Sequence, residues 1–121
     1  MNEILLIVAL LFTKHLIVDF FLQTKFQWSN KGTYGHLGGV LHASLHAIAT
    51  LLVFVFFVSP PMAVLVACLD GVIHYHVDWL KMNLNAKMGW GANTHEQFWW
   101  LLGLDQYLHA ITYIGLIALA V

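Results

Sequence analysis

The sequence has no arginine, one cysteine and two prolines, and charged residues fill only 9% of its 121 positions. A water-soluble domain carries about 25% charged residues. Five lysines and six acids are too few to coat such a surface. The lack of arginine, with a net charge of -1, argues against a nucleic-acid partner. A lone Cys68 inside an apolar run excludes an intrachain disulfide framework. A hydrophobic content of 60% excludes intrinsic disorder.

What is present is a set of long apolar runs, at residues 4–22, 37–58, 62–79 and 98–121. Each is near the ~20 residues a helix needs to cross a bilayer core. None alternates with period two, so the runs are helices and not barrel strands. The expected fold is all-α: a single up-down bundle of four transmembrane helices occupying residues 1–121. The first run is not read as a signal peptide. Its Met1-Asn2-Glu3 start carries no Lys or Arg, and no small-residue cleavage site follows. Ser59-Pro60-Pro61 ends one helix and starts the next. Residues 23–36 and 81–97 are read as polar loops. Lys25, Lys31, Lys81 and Lys87 lie in these loops, whereas the proline turn and both termini have no Lys or Arg. The positive-inside rule therefore puts the loops in the cytoplasm and both termini outside, in a bacterial inner membrane. Trp28, Trp79, Trp90, Trp99 and Trp100 suit an aromatic belt at the loop side.

The polar minority recurs with a spacing of four. His15 and Asp19 share helix one, His42 and His46 helix two, Asp70, His74 and Asp78 helix three, and Asp105 and His109 helix four. Residues at i and i+4 lie on one helical face. Counted from the loop end, Asp19, His42, His74 and Asp105 form one expected layer. His15, His46, Asp70 and His109 form another about 6 Å deeper. Asp78 and Gln23 fall in a shallower third. A lone intramembrane histidine is commonly a helix–helix hydrogen-bond partner. Nine ionisable groups on one side of four helices call for more, because an isolated buried Asp costs several kcal/mol. The pattern matches a metal-binding four-helix bundle. His15, Asp19, His42, His46, Asp70, His74, Asp105 and His109 are the candidate ligands. Without thiolates, the donor set suits Zn first, with Mn or Fe as alternatives, and there are enough ligands for two ions.

Weaker signals surround this set. Lys14, deep in helix one, is expected to pair with a core acid or to face a water-filled cavity. Lys81 shares the face of His74 and Asp78 and is expected to hold an anionic group, or to serve only as a positive-inside anchor. His76 is turned away from the stripe. His36 and His95 sit at helix edges. Thr94 is the expected N-cap of the last helix, with Glu96 in its first turn.

Four ordered segments also carry a resemblance: HLIVDFFLQ at 15–23, HASLH at 42–46, HYHVDWLK at 74–81 and DQYLHAIT at 105–112. Together they resemble a family of small bacterial and phage integral membrane proteins described as a domain of unknown function, with the pattern HLxxDFxLQ, HxxxH, HxxxDxxK, DQxLHxxT. The likeness spans about the whole chain. It implies a four-helix membrane protein, frequently phage-encoded, and supplies no activity. The Trp-rich stretch before the last helix departs from the pattern.

Function is expected to follow from the polar stripe. The leading expectation is a metal-dependent hydrolase acting on a lipid or lipid-linked substrate. Asp78 would be its general base, and Lys81 or a belt tryptophan would position the head group. The alternatives are a divalent-metal binding or transport protein, for which a homo-oligomer would be needed; haem ligation by His15, His46 or His109; and a phage membrane effector whose His/Asp layers form a structural or proton-linked network.

Overall fold

In a computed structural model, which describes residues 2–121, every regular element is a helix. Helix α1 (Glu3–Leu16) opens on Asn2, whose side-chain oxygen accepts from the Ile4 amide at 2.9 Å. It does not stop at Leu16 but widens into a π-helical turn, Ile17–Phe21. A short helix α2 (Lys25–Trp28) follows within the first polar loop. Then come α3 (Leu37–Phe54), α4 (Pro60–Met88) and α5 (Glu96–Ala120). Four helices, Glu3–Phe21 and α3 to α5, are long and apolar enough to cross a membrane. They form an up-down bundle in which α3 packs on α4, α4 on α5, and α1 on both α3 and α5, so α1 and α4 are diagonal.

Three expected boundaries are corrected. The third helix was expected to end at residue 79, but α4 runs on to Met88 and is 29 residues long. Hydropathy falls after Trp79, yet Lys81, Met82, Leu84, Ala86 and Lys87 are good helix formers. The real stop is Gly89, in the left-handed region at φ 67°, whose amide bonds back to the carbonyls of Ala86 and Asn85. Much of the expected second loop is therefore helix. The second run was expected to reach residue 58, but α3 ends at Phe54 and a tight turn joins it to Pro60. The last helix is preceded by His95 at the N-cap position, not by Thr94, and Glu96 lies in its first turn.

The interior is divided lengthwise. Around the termini and the proline turn lies an apolar cluster that includes Ile7, Leu11, Phe54, Val66, Tyr113 and Leu116. Toward the loops the same helical stripes turn polar, and His15, Asp19, His42, His46, His74, Asp78, Asp105 and His109 are all buried. Large apolar side chains such as Phe21, Phe56 and Trp100 point outward, as expected of helices facing lipid.

Candidate metal centre

The polar half is organised around the Asp19 carboxylate. Its Oδ1 lies 2.9 Å from His46 Nε2, 3.0 Å from His42 Nε2 and 3.7 Å from His74 Nε2. Its Oδ2 lies 3.1 Å from His15 Nε2. Two helices, α3 and α4, thus aim three imidazole nitrogens at one oxygen carried by the π-helical turn that continues α1. Such turns re-aim side chains relative to a regular helix and recur at functional sites. Asp19, His42, His46 and His74 together form one group whose ligand atoms lie within 4.8 Å of one another. His74, Asp78 and His109 form a second.

The rings are ordered by contact as well as by hydrogen bonds. His46 stacks on His74 with centroids 3.6 Å apart, and His74 stacks on His109 at 3.9 Å. The Nε2 atoms of His42 and His74 face each other at 3.3 Å. Two bare imidazole nitrogens repel at that distance, so the space between them suits a shared proton or a cation. His74 Nδ1 is buried without a hydrogen-bond partner among the described residues. A neutral imidazole offers one lone pair per ring. His74 therefore cannot serve both groups fully at once, which favours one complete site of four ligands over two equal ones.

The outer partners determine which ring nitrogen is free. His42 Nδ1 donates to Gln27 Oε1 at 3.2 Å, which leaves the lone pair on Nε2, facing the group. His46 is held the other way. The Lys14 ammonium donates to its Nδ1 at 3.1 Å, so Nε2 carries the proton and donates to Asp19. His15 accepts from the Tyr113 hydroxyl at Nδ1 and donates from Nε2 toward Gln106 Oε1 and Asp19. It supports Asp19 instead of presenting a lone pair. Among the ligand candidates, the structure brings Asp19, His42, His46, His74 and His109 into the two groups, with Asp78 joining the second. It places His15, Asp70 and Asp105 outside them.

Three of the four buried aspartates have lysine partners. Lys14 Nζ lies 2.7 Å from Asp70 Oδ2, Lys31 Nζ 2.9 Å from Asp78 Oδ2, and Lys81 Nζ 3.1 Å from Asp105 Oδ2. Asp70, which also accepts from the Thr50 hydroxyl, lies below the histidine cluster instead of in a ligand layer. The two flat layers expected from counting are replaced by one histidine tier with Asp70 beneath it. Asp78, expected in a shallower layer, is enclosed: it is 2% exposed and sits between Lys31, His42, His74 and His109. Among the described residues, Asp19 is the one buried aspartate with no lysine within ion-pair distance, and histidines surround it instead.

Gln27, Lys31, Thr50, Gln106 and Tyr113 were missed by sequence reasoning. Thr50 and Tyr113 each continue a stripe by one further step of four, from His46 and His109, and that signal was available. Gln27 and Lys31 lie in a segment read as loop. They reach the interior because α2 lies flat on α3 at Gly38, where a Cβ would overlap the Phe26 carbonyl oxygen.

Residues 6–121 match the model of a family described as a protein of unknown function (DUF3307), and the chain belongs to that family. No curated protein and no solved structure matches it.

Proposed function

For this member of the DUF3307 family, we propose an intramembrane metal-binding protein in which Asp19, His42, His46 and His74 hold one divalent cation, and which acts as a metal-dependent hydrolase on a lipid or lipid-linked substrate. The observation that carries the reading is the convergence of three Nε2 atoms on Asp19 Oδ1 at 2.9 to 3.7 Å, in a site buried among apolar helices. The residues fit the ion. They supply three imidazoles and a carboxylate without thiolate, which suits Zn, with Mn or Fe as alternatives. His42 is already in the ligating tautomer. His46 would become a ligand in its other neutral tautomer, with the proton moved from Nε2 to Nδ1 and Lys14 left to donate to Asp70.

A bound divalent ion supplies Lewis acidity and a water-derived nucleophile at neutral pH. The chain supplies the rest. Asp78 lies 3.3 Å from His42 Nε2 and 3.4 Å from His74 Nε2, so its carboxylate borders the same space and is placed to take a proton there. Lys31 holds that carboxylate in position. Lys81, with its side chain 17% exposed, is the most accessible of the three paired lysines and is placed to meet an anionic group. The apolar outer surface supports access for a substrate from the bilayer, and the lysine distribution supports a site in the cytoplasmic half of a bacterial inner membrane.

A second reading is favoured by one observation. The ammonium of Lys14 donates to His46 Nδ1, an arrangement that closes the network with protons alone. In that reading the cluster is a structural hydrogen-bond network with no ion.

Elemental analysis of the detergent-purified protein separates the two. About one equivalent of Zn, Mn or Fe is expected in the wild type, and little in Asp19→Asn or His74→Ala. A folded wild type without metal, after loading and desalting, would overturn the metal reading.

A further inference from the structure

A cavity of about 270 Å³ lies at the loop end of the bundle, between α2, α4 and α5. Trp28, Met82, Phe98 and Leu102 give it apolar walls, and Lys31 and Lys81 also line it. These are the lysines paired with Asp78 and Asp105. The cavity is therefore one ion pair away from the histidine tier.

Each ammonium has three donors. Among the described residues Lys31 spends one on Asp78 and Lys81 one on Asp105. The remaining donors sit in a mostly apolar space, where a hydrogen bond to an anion is stronger than in water. The volume is slightly below that of a typical small-molecule site. It accommodates a head group and not a whole lipid. Trp28 is about half exposed at the rim, and the belt tryptophans mark this end as the membrane interface. A ligand with a compact anion and an apolar extension matches all three features.

We infer that this cavity binds the phosphate head group of an anionic phospholipid, with Lys31 and Lys81 donating to its oxygens and the acyl chains leaving past Trp28 and Phe98. Naming this lipid class as the substrate rests on the metal-dependent reading above. The binding itself does not, because no residue of the Asp19 group lines the cavity.

The test uses chelated, metal-free protein in neutral detergent micelles. It is titrated with phosphatidic acid brominated on its acyl chains, with equally brominated diacylglycerol, and with inorganic phosphate. Tryptophan quenching is the readout. Saturable quenching is expected at a mole fraction at least tenfold lower for phosphatidic acid than for diacylglycerol. Trp28→Phe should remove most of the saturable component. Lys81→Gln, and separately the cavity-filling pair Met82→Phe with Leu102→Phe, should each weaken binding about tenfold or more, with helicity and gel-filtration behaviour unchanged. Equal quenching by the two lipids, or folded variants with wild-type affinity, would overturn the inference. So would displacement by inorganic phosphate at comparable concentration, which would make a soluble anion the ligand. Metal binding without lipid binding leaves the metal centre standing and removes this inference. Lipid binding without metal does the reverse.

Discussion

Lys14 and His46 share a hydrogen bond of 3.1 Å that decides which nitrogen of His46 faces Asp19. The same ammonium holds Asp70 at 2.7 Å, so one lysine near the middle of a membrane helix joins the apolar half of the bundle to the histidine tier. Neither partner is more than 6% exposed. Removing one member of such a pair strands the other charge, whereas removing both need cost little.

Lys14→Met is accordingly expected to destabilise the protein by about 3–5 kcal/mol, and Lys14→Met with Asp70→Asn to recover most of that loss. Unfolding midpoints of the wild type, both single variants and the double variant in one detergent form the cycle. Additive losses would show that the pair is not coupled.

Metal retention should separate residues that sequence spacing treats alike. His42→Ala is expected to abolish stoichiometric metal. Asp105→Asn, which lies outside both ligand groups, is expected to keep it. Elemental analysis after desalting reads the result directly. Chelation should also lower the wild-type melting temperature, because a ligand that binds only the folded state stabilises it by mass action.

Gln27 should behave as an outer partner of the metal site although it comes from a loop segment. Gln27→Leu removes the acceptor of the His42 Nδ1 proton. Loss of such a partner commonly costs 10–100-fold in metal affinity. A competition titration against a chromophoric chelator should show a shift of that size with the fold intact.

Gly38→Ala carries the opposite sign from an ordinary helix substitution. Alanine in a helix interior normally stabilises by up to about 1 kcal/mol relative to glycine. At Gly38 the new methyl would overlap the Phe26 carbonyl oxygen, part of the backbone of α2. A net loss of about 1–3 kcal/mol is expected, together with weaker metal binding as α2 moves Gln27 away from His42. Thermal melts and the same competition titration check both effects. Gly103→Ala, where a Cβ meets nothing within 4 Å, is the matched control.

The spans were largely legible because membrane helices announce themselves by length and hydropathy. The first was placed within one residue at each end, at 4–22 against Glu3–Phe21. The end of α4 was not. A polar composition after Trp79 was read as loop, although only Gly89 breaks the helix. The buried His/Asp stripes were legible for the same periodic reason. Asp70 shows how far helical periodicity reaches. It sits on the stripe four residues before His74, yet in the folded bundle it pairs with Lys14.

By itself the sequence determined that this is a four-helix membrane protein with five of its histidines and all four aspartates on inward-facing stripes. Helical periodicity sets which residues share a face, and hydropathy sets which helices cross the bilayer. The tertiary structure alone decided how the stripes mesh. It put Asp19 on a π-helical turn, gave Asp70, Asp78 and Asp105 to three lysines, and set opposite tautomers for His42 and His46. Those outcomes depend on the rotation and sliding of helices against one another and on where α2 rests on Gly38. Packing between segments distant in sequence sets these relations, and no spacing within a helix encodes them.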